Sequence, residues 1–184
     1  MIGRMIRAAR LNIDVYEEVE RDEAATTEAL IVVVLVSLLA GVGSGLATLL
    51  SRQAGFGGAV GSLIFGVIAA LIGWVIWAFL TYFIGTRLFG GTATWGELLR
   101  TLGYAYTPGV LGVFSFIPCL GALLAFVGAI WQLVATIVAV RQALDFDTTK
   151  AVLTCIIGWV ILIIIFATLG GGAALLAGLA GLGR

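Results

Sequence analysis

The sequence predicts an all-α membrane protein: a bundle of five transmembrane helices preceded by an N-terminal amphipathic helix at the membrane interface. Three observations predict it. Of 184 residues, 61% are hydrophobic and 11% charged, and the mean hydropathy of +1.17 lies outside the range of water-soluble domains. Five apolar runs, about 29–50, 60–85, 98–116, 120–140 and 151–169, each approach or exceed the roughly 20 residues that cross the hydrocarbon core as a helix. The charges, finally, gather at one end of these runs.

Orientation follows from the basic residues, which are retained on the cytoplasmic side. With the N-terminus in the cytoplasm and five crossings, Arg4, Arg7, Arg10, Arg21, Arg87, Arg100, Arg141 and Lys150 lie inside, against Arg52 and Arg184 outside. An even number of spans would spoil that segregation, so the charges argue for counting the weak third run. The C-terminus then lies outside the cell membrane, and all ten acidic residues share the inner face. Residues 1–27 read as a cytoplasmic amphipathic and acidic segment, and 28–184 as the transmembrane domain.

Within the first segment, Ile2, Met5, Ile6, Ala9, Ile13 and Tyr16 recur at helical spacing, while Arg4, Arg7 and Arg10 fall on another face. This pattern predicts a helix lying on the bilayer. Each arginine near an anionic leaflet is worth about 1 kcal/mol, which makes anionic lipids an expected partner. Asp14 and Glu17 form a D-x-x-E capping pattern for a second, acidic helix running through Glu20. The first apolar run is too long for a signal-peptide core, so it is expected to stay as an anchor. Gly at position 3 rather than 2, and no C-terminal prenylation box, leave lipidation unsignalled.

In the first two spans small residues recur every four positions: Ser37, Gly41 and Gly45 in one, Gly58, Ser62, Gly66 and Ala70 in the other. Such stripes let helix backbones approach closely in lipid. Packing of these two spans against each other is the first expectation, a homo-oligomer seam the second.

The stretch from Gly90 to Pro108 combines an interfacial Trp95, Glu97 and Arg100 one turn apart, Tyr104, and a proline inside a span. Pro108 removes the hydrogen bond to the Tyr104 carbonyl and predicts a kink, satisfied by Thr107 or a neighbour, or lining a cavity. Gln132 is the one amide deep in a span and is expected to bond across helices. Arg141, Gln142, Asp145, Asp147 and Lys150 form the last cytoplasmic loop, where Asp147 or Thr148 can cap the final helix.

Chemistry is limited by what is missing. With no histidine, the usual general base and the commonest metal ligand are absent. The one lysine sits in a charged loop, and no acidic pair lies within a span, so serine, aspartyl and metal-dependent intramembrane catalysis lack their groups. Cys119 and Cys155 are expected at opposite membrane faces, too far apart for a disulfide. No enzyme, cofactor or nucleic-acid partner is expected, and coupled transport is disfavoured by spans that carry no ionisable residue except Arg100.

Gly103-Tyr104-x-x-x-Pro108 resembles the glycine-tyrosine element of the Yip family, the Ypt/Rab-GTPase-interacting membrane proteins, in its bacterial and archaeal type. Asp14-x-Tyr16 resembles a remnant of that family's D-L-Y-G-P box, without its glycine and proline. Ala139-Val-Arg-Gln-Ala-Leu-Asp145 is similar to the loop before its last span. The resemblance implies a five-span architecture and non-enzymatic work at membranes, with a membrane-protein or GTPase-like partner. The leading expectation is therefore an adaptor or organiser at the cytoplasmic face, with Arg4, Arg7, Arg10, Asp14, Tyr16, Arg141 and Asp145 as contacts. A small uncoupled channel, permease or lipid-handling protein, with its path by Tyr104 and Pro108, is the alternative.

Overall fold

The computed structural model describes residues 1–52 and 55–182, with side chains described as far as Ile165 and at Ala167 and Thr168. Two short helices, α1 (Ile2–Ala9) and α2 (Ile13–Arg21), precede α3 (Ala25–Leu50) and α4 (Phe56–Leu88). Then come α5 (Trp95–Ala105), a 3-10 segment (Thr107–Phe116), α6 (Leu120–Ala143) and α7 (Thr148–Leu182). Among the described residues there is no strand.

Four helices are long and apolar enough to cross a membrane: α3, α4, α6 and α7, the last over Thr148–Ile165. The third apolar run is not a continuous helix but is divided at Tyr106. Pro108 has no N–H to offer the preceding turn, and the backbone tightens into ten residues of 3-10 helix. The Tyr104 carbonyl left over accepts instead from the Thr107 hydroxyl at 2.7 Å. At its other end α5 is closed by a capping box: Thr94 accepts from the Glu97 N–H (3.3 Å), and Glu97 accepts from the Thr94 N–H (2.7 Å).

The 3-10 segment packs between α3 and α6, while α4 packs on α3 and α7. Glycines set these approaches. A Cβ at Gly43 would stand 2.4 Å from the Gly112 carbonyl oxygen, and one at Gly103 would stand 2.6 Å from the Ala29 methyl. The anticipated stripe meshes less tightly: a Cβ at Gly41 would meet Leu63 at 3.2 Å, one at Gly45 would meet Ala59 at 3.8 Å, and one at Gly66 would meet nothing. Gly58 and Ser62 are exposed, Ser62 turning its hydroxyl to the Ala59 carbonyl.

The polar end of the bundle is a folded cap. α2 packs on α5 and α6, burying Val15, Tyr16 and Val19 completely. α2 starts at Ile13, with Asn12 at its N-cap and no side-chain cap bond, so the Asp14–Glu17 capping pattern does not set its start. The loop after α6 folds back on the end of α4: Leu144 occupies the space that side chains at Gly85 and Gly91 would need, and Phe146 meets Phe89 edge-on at 6.2 Å. Asp147 caps α7 by accepting from the Lys150 N–H at 2.9 Å.

Candidate functional site

The residues singled out in the sequence fall into two groups in space, a polar cap and an interior joint. The cap is organised by two arginines. Arg100, on the buried face of α5, donates from Nε to the carbonyls of Val19 (3.0 Å) and Glu20 (3.1 Å), and from Nη2 to Glu20 as well. Those carbonyls end α2, where a helix has unsatisfied acceptors and partial negative charge. Arg100 is therefore not the surface partner of Glu97 that one-turn spacing implies, because Glu97 is taken up by the α5 capping box. The sequence signal for this role was an arginine on the apolar side of a short amphipathic helix.

Arg4 is the second organiser. It bridges Glu18 (2.8 Å), Asp22 (2.8 Å) and Glu28 (3.2 Å), and Glu28 also accepts from the Tyr104 hydroxyl. Arg7 pairs with Glu18 at 2.5 Å. Two of the three arginines expected to face anionic lipid are thus engaged by carboxylates of the same chain, because α2 brings its acidic face alongside α1. Arg10 alone of the three is exposed. The hydrogen bonds from Arg4 and then Arg7 hold the Glu18 carboxyl below its usual range, and that to Glu18 holds the proton of Arg4 more firmly.

Tyr16, expected as a surface contact, is fully buried, and its hydroxyl donates to the Ala8 carbonyl at 3.2 Å. Burial pushes its phenol up. It fastens α2 to α1 and is not available to a partner in this conformation. The end of α1 is held from another side, where Trp131 of α6 donates from its indole nitrogen to the Ala9 carbonyl at 2.7 Å. The first helix is therefore seated in the bundle rather than lying apart on a surface. Ile2 and Ile6 remain outward, 67% and 50% exposed.

Around the exit of α6, Gln142 donates to Glu17 at 3.2 Å, and Asp145, with a left-handed φ of 54°, accepts from Thr92 at 3.2 Å. The Arg141 Nε is buried and has no partner among the described residues. Glu20 lies near Glu97 and Asp145. Burial first, and then these like charges, push its carboxyl up to about 7. Trp95, Asp14 and Asp145 are exposed on the cap.

The interior joint is where α5 meets the 3-10 segment. Pro108 is buried there, and Tyr106 and Gln132 line the cavities beside it. A Cβ at Gly109 would stand 3.0 Å from the Gln132 Oε1, so this glycine admits the amide. Both cysteines are free thiols, Cys119 exposed and Cys155 buried. Among the described residues no cluster of three metal-ligating side chains occurs.

Apolar helices long enough to span a bilayer, joined at one end by a charged, folded cap, define a multi-pass α-helical membrane protein. The Yip1 domain family model matches residues 13–169, from the start of α2 into the last helix, and the chain belongs to that family. The family is known for membrane traffic and is linked to Rab GTPases. No curated protein and no solved structure matches the chain.

Proposed function

We propose that the chain is a non-enzymatic adaptor or organiser whose cytoplasmic cap presents one preassembled surface to a membrane-protein or GTPase-like partner. In this reading it crosses the cell membrane five times, with the N-terminus inside and the C-terminus outside. The eight basic residues on the inner side against two outside support that count.

The observation that carries the reading is the grip of Arg100 on the α2 carbonyls together with that of Arg4 on three carboxylates. It converts the N-terminal segment from a tail into part of the fold and leaves Arg10, Asp14, Trp95 and Asp145 exposed. A surface fixed this way binds without first paying to order a chain. The test is photo-crosslinking in native membranes from probes at Asp14 and at Trp95, followed by mass spectrometry. A reproducible protein partner is the expected result; crosslinks to lipid and to the chain itself alone would overturn the adaptor reading.

A further inference from the structure

Two clefts open between the membrane-spanning helices and meet at one pair of side chains. The smaller, about 340 Å³, lies among α3, α4 and the 3-10 segment and is lined by Ser37, Ser44, Ser62 and the stripe glycines Gly41 and Gly66. The larger, about 650 Å³, lies among α4, α6 and α7, with Trp77, Ile137, Ile156, Trp159 and Leu162 on its walls. Tyr106 and Gln132 line both. Both volumes fall within the roughly 300–1,000 Å³ of small-molecule sites.

The hydrogen-bonding capacity of the pair is free. Among the described residues neither the Tyr106 hydroxyl nor the Gln132 amide bonds within the chain, whereas Ser37, Ser44 and Ser62 each donate to a carbonyl of their own helix. The serines therefore offer only acceptor lone pairs, while the joint offers donors as well. An amide left without a partner in hydrocarbon is costly, so a polar group belongs there. No Asp, Glu, Lys or Arg lines either cleft, which excludes a charged headgroup. Ile156 and Trp159, half exposed at the edge of the larger cleft, face what surrounds the helices, the bilayer itself.

We propose that the paired clefts bind one neutral lipid of the diacylglycerol class. A hydrocarbon chain lies along Trp77 and Trp159 in the larger cleft. The ester carbonyl accepts at Tyr106 and Gln132, and the free hydroxyl donates toward the serines of the smaller cleft. The inference requires only that the chain spans the membrane and is independent of the adaptor reading.

The test uses the full chain in nanodiscs and a diacylglycerol bearing a photoactivatable, clickable acyl chain, against a phosphatidylglycerol bearing the same chain. Adducts are expected within 129–137 and 152–162, competed by unlabelled diacylglycerol and not by phosphatidylglycerol. Gln132→Leu combined with Tyr106→Phe should lower labelling about tenfold or more, as loss of two hydrogen bonds implies. Thr136→Phe fills the larger cleft while leaving the polar pair, and should also abolish labelling; it decides the matter if the double variant fails to fold. Equal labelling by the charged probe, adducts spread over the outward Phe65 and Phe126, or labelling unchanged in the folded variants would overturn the proposal.

Discussion

Arg100 closes the end of α2 by donating to the main-chain carbonyl of Glu20, eighty residues earlier in the chain. A guanidinium is suited to this because its planar fork serves two carbonyls at once and never loses its charge. Replacing it with Met keeps the apolar stem and removes the donors. Arg100→Met is expected to weaken docking of α2 by about 2 kcal/mol, the usual scale for hydrogen bonds to a charged group. Amide exchange across residues 13–21 should quicken at least tenfold, with α4 and α6 unchanged. Unchanged exchange in α2 would show that its apolar face alone holds it.

Glu20 makes that docking depend on pH. Its carboxyl, raised from 4.5 to about 7, keeps its proton in the docked state over a range where the released segment would lose it. Docking should therefore weaken as pH rises from about 4.5 to about 7, and stay weakened above. Glu18 acts in the opposite sense: lowered by Arg4 and Arg7, it supports docking above the ordinary carboxylate range and loses that support in acid. Glu20→Gln should flatten the rise in α2 exchange, taken relative to the intrinsic amide rate, between pH 5 and pH 7 and leave the acid-side loss in place.

The glycines divide into those that hold helices together and those that face open space. Gly103→Ala drives a methyl into Ala29 and is expected to cost about 1–3 kcal/mol, the range for overpacking a close contact. Gly66→Ala, with nothing within 4 Å, should leave the thermal transition unchanged. A large loss at Gly66 would instead mark it as an oligomer contact.

Arg4 and Arg10 separate the structural from the interfacial role of the basic helix. Arg4→Glu sets a fourth carboxylate among Glu18, Asp22 and Glu28 and should release the N-terminal segment to proteolysis. Arg10→Glu leaves those pairs intact. It should spare the fold and lower only contact with anionic vesicles or with the partner trapped from Asp14.

Period and charge made the helices legible, because a span must be continuously apolar and its basic flank stays inside. The break at Tyr106 was half legible: Pro108 announced it, but the close seating of Gly109 and Gly112 against Val36 and Ala40 of α3 is a long-range contact that a local pattern does not carry. The amphipathic period of residues 2–16 was legible as a helical face, and what that face meets was not. A turn at Arg10–Asn12, with Leu11 left-handed at a φ of 59°, breaks it into two helices, so Tyr16 turns inward and Arg4 meets Glu18 on α2 and Asp22 and Glu28 beyond it. Long-range pairs such as Glu28 with Tyr104 leave no mark in local sequence, since either residue alone reads as an ordinary interfacial side chain.

The long fourth helix bears on which bilayer suits this chain. From Phe56 to Phe83 its outward side chains are apolar apart from Ser62, with Phe65, Ile72 and Phe79 along the way. That stripe is about 40 Å long at 1.5 Å per residue, against a hydrocarbon core of about 30 Å. The excess must be hidden by leaning the helix or by thickening the lipid around it, each at a small cost per ångström. Because α4 packs on α3 and α7, a lean of α4 carries those helices with it.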